Sequence, residues 1–362
     1  MSGASSHTLA ADDVVRTHAE AAAQEREALL VIEPLLEFLD ERGIGEGDLQ
    51  IAPIGDGHSN HTFLVTRGGR RFVLRRPPRG PIPPSAHDVL REARVIGAVG
   101  PAGVRAPAVL AVGDDPAIIG VPFFVMDAVD GEVITTTVPE PLDTPEQRRA
   151  LSFELVDALV ELHAVDWRAA GLGKPTGYTE RQVKRFLGLW QINRTREIPE
   201  VERVAEWLTA NLPDSPPATI VHGDYRLGNV MFSRDAPARL NAILDWEMST
   251  IGDPLADVGY LNMMWSEAAD PSGGLFDLNA VTRAEGFPTR AELVARYEEG
   301  SGRTMRDIRW YTALALWKSI VFMEGNYKRA TSGLSDDPFL KSFGDGVVDL
   351  ARRAEEVTRG DG

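Results

Sequence analysis

Residues 221–232 read VHGDYRLGNVMF, and residues 242–260 read AILDWEMSTIGDPLADVGY. His222, Asp224 and Asn229 are held between apolar shoulders; Asn229 comes five positions after Asp224, and Asp245 sixteen positions after Asn229. Phosphoryl transfer needs hard oxygen ligands for magnesium and one separate carboxylate near the acceptor hydroxyl, and this set can supply both. Each fragment alone also reads as a turn in which an aspartate bonds its own backbone. A metal-dependent hydrolase built on His222, Asp224 and Asp245 is a further reading, disfavoured because no second histidine lies nearby. The three pieces in this order favour phosphoryl transfer.

The elements that must position these residues change texture along the chain. From Asp12 to about Glu41 apolar residues recur at helical spacing, with Pro34 expected to kink or split the helix. Strand-like runs follow: LQIAPIG, HTFLVTR, a Gly68-Gly69 turn, and RRFVLRR, the Gly-Gly pair predicting a hairpin. After a proline-rich loop, SAHDVLREARVIGAV predicts an amphipathic helix, and APAVLAVG and VPFFVMDAV two more strands. Helices are expected at 144–164, 178–193, 200–211, 289–299, 306–328 and 337–357, with the strand-like LNAILDWE between them. The fold class is therefore α+β: a helical extension over 1–44, a small β-rich lobe over 45–130 and a larger, mainly helical lobe over 131–362. The boundary is expected near 128–143, where turn residues replace periodicity.

With Asp245, the loop pattern H-x-D-x-x-x-x-N matches the order of the protein-kinase catalytic residues. HGDYRLGNVMF followed by AILDWEMSTIGDPLADVGY resembles the aminoglycoside phosphotransferase and choline-kinase-like superfamily, in particular the branch of phosphotransferase domains associated with acyl-CoA dehydrogenases. The resemblance covers roughly residues 45–330. It implies a protein-kinase-like bilobal fold that moves the γ-phosphate of ATP to a small-molecule hydroxyl. Carried over, it makes Asp224 the catalytic base, Asn229 and Asp245 the ligands of Mg2+, and Asp253 the brace of the catalytic loop. Asp253-Pro254 also reads as a helix cap followed by proline at the first helical position. Asp257 is expected to be buried and hydrogen-bonded. Trp246 and Glu247 stand where the kinase pattern has Phe and Gly, so no in/out switching of this segment is expected. Arg226 stands where many kinases carry a lysine; it can neutralise the transferring phosphoryl group or face solvent.

In the β-rich lobe, IGDGHSNHTFLV resembles the family's nucleotide loop without being G-x-G-x-x-G, and Gly57, Ser59 and Asn60 could offer donors to phosphates. FVLR places Arg75 at the lysine position, with Glu92 as its partner; the alternative is a solvated hairpin charge. Arg67, Arg70, Arg71, Arg75, Arg76 and Arg79 fall within thirteen residues and read as a local positive field for a triphosphate, or as charge protecting a strand edge. In the family, a segment like FFVMDAVDG bonds adenine through its backbone, here at Asp127 and Val129.

The chain has 362 residues, 43% of them hydrophobic and 25% charged, as in a globular protein. A net charge of −16 argues against nucleic-acid or anionic-membrane partners. The absence of cysteine excludes disulfides and thiol chemistry. The polar, acidic start and the lack of long apolar runs point to the cytoplasm. The cofactors expected are ATP and Mg2+. The acceptor is expected to be a hydroxyacyl thioester or similar anionic metabolite; the alternatives are an aminoglycoside, or no acceptor at all in a silent nucleotide-binding module. Lys184, Arg185, Arg194, Arg196, Lys318, Lys328 and Arg329 supply basic residues to the helical lobe. Trp190, Trp265, Trp310, Tyr311 and Trp317 are expected in its core rather than in a pocket.

Overall fold

The Gly68-Gly69 turn closes a hairpin between β4 (His61–Arg67) and β5 (Arg70–Arg76). Both glycines have positive φ, and a Cβ at Gly68 would lie 2.6 Å from the Glu46 carbonyl, so the turn and its packing both require glycine. The hairpin is the centre of a five-stranded antiparallel sheet, β3-β4-β5-β7-β6, completed by β3 (Gln50–Ile54), β6 (Val109–Gly113) and β7 (Phe123–Asp127). The computed structural model describes residues 9–10, 12–55, 60–80, 87–173, 177–272, 274–334 and 338–360. Gly57 and Ser59 lie outside the described residues. The chain divides into two compact units, Met1–Asp130 and Gly131–Gly362.

In the first unit, strand periodicity of two sends Phe63, Val65, Phe72, Leu74, Phe123 and Val125 to one face, where they bury Leu35, Phe38 and Leu39. Those three belong to α2 (Ile32–Asp40). The opposite face buries Val73 and Phe124, and α3 (Val89–Val99) packs against β6 and β7. Asp88 caps α3 by accepting the Arg91 N–H.

The single helix expected over 12–41 is broken. In its place are β1 (Val14–Val15), α1 (His18–Ala22), β2 (Leu30–Val31) and α2. Pro34 does not split a helix; it sits in the first turn of α2, where an N–H is not needed. The reason for the break lies in β4 and β5. Their inward-facing rows end in Arg67 and Arg76, both buried. Arg76 donates to the Ala28 and Leu29 carbonyls and to Glu27, and Arg67 to the Ile44 and Gly47 carbonyls and to Asp40. A helix through 27–29 would hide the Ala28 and Leu29 carbonyls that the Arg76 guanidinium needs.

The second unit is organised on α10 (Ile308–Thr331), whose residues from Trp310 to Trp317 are all buried. A helix apolar on every side belongs inside a bundle. The helices around it follow the expected order: α5 (Pro145–Ala164), α6 (Tyr178–Asn193), α7 (Pro199–Ala210), α8 (Leu255–Met263), α9 (Arg290–Ser301), α11 (Pro338–Lys341) and α12 (Phe343–Arg359). The helix expected over 337–357 thus divides at Ser342. Trp310 and Trp317 donate their indole N–H to the Leu208 and Val201 carbonyls of α7, so these rings are core rather than pocket. Two small ladders frame the loops. Strand β9 (Thr219–Val221) pairs with β12 (Thr250–Gly252), and β10 (Val230–Phe232) lies between β8 (Glu132–Val133) and β11 (Leu240–Ile243). Among the described residues, no helix is long and apolar enough to cross a membrane.

Candidate active site

Strand β9 delivers the chain into the loop 222–229, and β10 carries it away. The shoulders Val221 and Val230 are fully buried, and the Tyr225 hydroxyl donates to the Leu155 carbonyl of α5 at 2.7 Å. Gly223 has φ +88°, and a Cβ there would lie 2.8 Å from the Met248 carbonyl. This turn leaves Asp224 half-buried with its carboxylate open to a cavity.

Three hydrogen bonds draw the sequence-predicted residues together. Asn229 donates its Nδ2 to the Asp224 carbonyl at 2.8 Å and to its Oδ2 at 2.6 Å. The Leu244 N–H donates to the Asn229 carbonyl at 2.8 Å, which holds Asp245 beside the loop. His222 Nε2 donates to the Leu244 carbonyl at 2.8 Å, and its Nδ1 accepts the Asp224 N–H at 3.3 Å, so its partners fix the tautomer. His222 is therefore buried scaffolding that ties the Asp224 loop to the Asp245 loop, packed against Trp246 at 5.2 Å between ring centroids. Asp245 itself adopts the left-handed region at φ +59°, a strained conformation for a non-glycine residue and one that clusters at functional sites.

With its amide nitrogen spent on Asp224, Asn229 keeps its carboxamide oxygen. That oxygen and the Asp245 carboxylate are hard donors suited to magnesium. Among the described residues, no three of His, Cys, Asp or Glu converge into a complete metal cage. A two-ligand site of this kind fits a magnesium ion whose remaining positions are filled by phosphate and water.

The sequence resemblance gave the brace role to Asp253, but the geometry gives it to Asp257. The buried Asp257 carboxylate accepts the main-chain N–H of His222 at 2.6 Å and of Gly223 at 2.8 Å, and a third bond from His163 at 3.2 Å. Burial would raise the pKa of Asp257, but the His163 bond, the nearby His222 and the Gly223 N–H bring it below the ordinary carboxylate value. Asp253 instead accepts the Leu255 N–H at 2.9 Å and the Tyr311 hydroxyl at 2.6 Å, capping α8 and tying it to α10.

Arg226 lies on the same loop with Nε 3.7 Å from Asp224 Oδ1, one third exposed. Both residues line a cavity of about 850 Å³ bounded by α8, α9, α10 and α12. Its apolar walls include Met263, Leu316, Met323 and Leu350, and its charged lining has five arginines (226, 283, 290, 309 and 353) against three carboxylates (224, 267 and 270). None of the seven basic residues singled out in the sequence lines it. Arg290 is committed to Asp270 through both terminal nitrogens, and Arg353 reaches Asp270 at 3.9 Å and Glu356 at 3.5 Å. Arg309 has no carboxylate within ion-pairing distance among the described residues. Sequence reasoning also missed Tyr260, which lines the same cavity as Asp224. Its signal was the spacing in DPLADVGY, which puts 253, 257 and 260 on one helix face.

In the first unit, Arg75 Nε lies 3.0 Å from Glu92 Oε2, and its Nη1 donates to Thr62 at 3.3 Å. Glu92 is buried in α3. The other hairpin arginines do not form an open field for a triphosphate. Arg67 and Arg76 are buried as described, Arg79 pairs with Asp13, Arg70 with Asp127 at 3.8 Å and Arg71 with Asp130 at 2.7 Å. Asn60 is buried at the start of β4. The Asp127 N–H donates to the Ala108 carbonyl, so a main-chain contact to a base at this position falls to its carbonyl; Val129 is half-buried.

The sequence model described as the phosphotransferase enzyme family matches residues 50–311. The chain is 33% identical over 322 residues to mouse acyl-CoA dehydrogenase family member 10, covering 87% of this chain and 30% of that protein. It is 31% identical over 324 residues to human acyl-CoA dehydrogenase family member 11, covering 87% and 40%. The chain thus spans well under half the length of these curated relatives. Among solved structures, a Ralstonia eutropha protein provisionally described as an aminoglycoside phosphotransferase is similar with a TM-score of 0.78 and 29% identity, over 91% of this chain and 98% of that one. An ethanolamine kinase from Plasmodium vivax has a TM-score of 0.56 at 12% identity, over 87% and 84%, and so shares the fold.

Proposed function

The chain belongs to the phosphotransferase enzyme family, and from that premise we propose that it transfers the γ-phosphate of ATP to a hydroxyl of a small anionic metabolite, a hydroxyacyl thioester being the class that fits best. Asp224 accepts the proton of the acceptor hydroxyl as its oxygen bonds to the γ-phosphorus. The bond from that phosphorus to the β–γ bridging oxygen breaks, and ADP leaves. Arg226 neutralises charge on the phosphoryl group in transit. Asn229 and Asp245 would hold magnesium, which would supply positive charge to offset that of the phosphates. Arg75, oriented by Glu92, takes the phosphates, with Gly57, Ser59 and Asn60 as further donors. Asp127 and Val129 meet adenine through the main chain. A cytoplasmic setting, expected from the sequence, would supply both ATP and magnesium.

The observation that carries the acceptor class is the cavity beside Asp224, where arginines outnumber carboxylates although the chain carries a net charge of −16. Its acidic members Glu267 and Asp270 are occupied by Arg290, which leaves little to hold a cationic sugar. The names of the acyl-CoA dehydrogenase relatives point the same way. The test compares phosphorylated product from hydroxyacyl-CoAs and from kanamycin, with MgATP and with Asp224→Asn as control. Faster phosphorylation of kanamycin would overturn the acceptor class. Binding of MgATP with no turnover on any hydroxyl would leave a nucleotide-binding module.

A further inference from the structure

We propose that Gly228 is a positioning residue for phosphoryl transfer: having no side chain, it leaves the seat in which the Arg226 guanidinium lies beside Asp224. This rests on the phosphotransferase reading of the site.

The catalytic loop contains two glycines, which stand there for different reasons. Gly223 is held at φ +88°, where an L side chain is strained. Gly228 has no positive φ, so its backbone conformation is open to other residues. It lies in the short 3₁₀ turn Leu227–Asn229, closed by the Asn229 N–H donating to the Arg226 carbonyl at 2.9 Å. What the position excludes is volume. A Cβ there would run into Arg226 Nη1 and lie 3.0 Å from Cζ and 3.6 Å from Nη2. The guanidinium therefore folds back over its own turn and covers residue 228.

Arg226 is thus held from two sides, with Nε 3.7 Å from Asp224 Oδ1 and Nη1 over Gly228. The turn beneath it is fixed, because Leu227 and Asn229 are buried and Asn229 donates to the Asp224 carbonyl and carboxylate. One third of the Arg226 side chain stays exposed, and Arg226 and Asp224 line the same cavity. An arginine that only faced solvent would need no such seat. One that meets a phosphoryl group in transit needs its guanidinium fixed, since a misplacement of about 1 Å can cost about a hundredfold in rate. The atoms that a Cβ would strike are the far end of a flexible side chain, so an alanine at 228 displaces Arg226 and not the backbone.

The experiment uses the full chain and compares wild type, Gly228→Ala, Arg226→Gln, the double variant and Asp224→Asn. Turnover is measured with MgATP and either hydroxybutyryl-CoA or kanamycin. Binding is measured with MgADP alone and with MgADP plus aluminium fluoride, which mimics the phosphoryl group in transit. Gly228→Ala and Arg226→Gln should each lower kcat by about ten- to a hundredfold and leave KM for MgATP within about twofold of wild type. In the double variant the alanine should cost nothing beyond Arg226→Gln. Gly228→Ala should bind MgADP as wild type does and lose most of the affinity that aluminium fluoride adds. Its urea midpoint should stay near wild type; an unstable Gly228→Ala whose stability returns in the double variant reports the same clash. The proposal is overturned if either single variant keeps wild-type kcat, if the alanine costs as much without Arg226 as with it, or if both alanine variants are unstable. If wild type consumes no ATP with either acceptor, or Asp224→Asn consumes it as fast, the reading of the whole site falls and the role of Gly228 with it.

Discussion

The Asp257 carboxylate accepts the His222 main-chain N–H at 2.6 Å, so the loop that presents Asp224 hangs from a buried charge on α8 rather than from its own turn. Gly223 donates to the second oxygen of the same carboxylate at 2.8 Å. Replacing Asp257 by alanine strands two N–H groups and the His163 imidazole without an acceptor. Such a loss in a buried network costs about 3–5 kcal/mol. Asp257→Ala should therefore lower the urea unfolding midpoint sharply and abolish ATP turnover. Asp257→Asn, which keeps one acceptor oxygen, should fold better while turning over slowly. An Asp257→Ala protein as stable as wild type would contradict the brace role.

His163 predicts how the second unit responds to acid. It is fully buried, bonded to Tyr297 at 2.6 Å and to Asp257. Burial lowers its pKa despite the raising effect of the Asp257 bond and charge. The unfolded chain titrates near 6.5, so below that pH the unfolded state takes up a proton that the folded state refuses. Stability should thus be complete above pH 6.5 and fall as pH drops through 6 towards 5. Gln can donate to Asp257 and accept from Tyr297 without titrating. Urea midpoints at pH 7 and 5.5 should fall for wild type and move less for His163→Gln; equal falls would acquit His163.

What was legible in the sequence follows from how local its cause is. The hairpin at Gly68-Gly69 and the helices from Pro145 onward are written in glycine pairs, caps and periodicity, all read within a few residues. Asp224, Asn229 and Asp245 could be singled out because phosphoryl transfer would need oxygen ligands at fixed separations, and the structure brings their loops together. The N-terminal segment was misread because its helical spacing is overridden by Arg76, which lies up to 48 positions away and takes the Ala28 and Leu29 carbonyls. The same long-range pairing cancelled the apparent positive field of the hairpin. Apart from Arg226, which the loop pattern singled out, the cavity arginines were invisible for a like reason: 283, 290, 309 and 353 share no local pattern, and only the packing of the helices around the cavity brings them together.

Lys318 sits on α10 with its ammonium 5.1 Å from the centre of the Phe186 ring. Burial lowers its pKa to about 8, with Asp257 and Asp224 pulling upward and Arg185 downward. Unfolded lysine titrates near 10.5, so between about 8 and 10.5 the unfolded state binds more protons and stability rises with pH. Below 8 the buried charge weighs fully on the fold. Lys318→Met should then raise stability at pH 7 by about 1–3 kcal/mol, less whatever the ring contact contributes. Urea unfolding at pH 7 and pH 10 checks both claims, since the gain should shrink at the higher pH.

Arg75 bonds Glu92 through Nε and Thr62 through Nη1. A lysine carries one ammonium on a flexible stem and cannot hold both in the same fork. Arg75→Lys should raise KM for MgATP by a few fold and Arg75→Ala by about tenfold, the loss of a charge-assisted bond being about 1.5–3 kcal/mol before compensation. Glu92→Gln should move KM in the same direction, because an unoriented Arg75 binds phosphate less well. If none of the three changes affinity for MgATP, the Arg75–Glu92 pair is a strand-to-helix tie without a nucleotide role.

Arg309 is the cavity arginine left uncommitted, its guanidinium lying over the Trp207 ring at 5.6 Å with no carboxylate close by among the described residues. An anionic group on the acceptor would find there a cation that need not first abandon a partner, whereas Arg290 would have to release Asp270. Arg309→Gln should therefore raise KM for a hydroxyacyl-CoA by about three- to tenfold and leave KM for MgATP alone, since a single exposed charge contributes roughly 0.5–1.5 kcal/mol to such a contact. Added salt should weaken wild-type binding and narrow the difference from the variant. Arg290→Gln should act differently, lowering stability as well as affinity, because it also frees Asp270 in the cavity wall. Were Arg309→Gln to leave the hydroxyacyl-CoA untouched while improving kanamycin turnover, the cavity would be working as a site for cationic sugars.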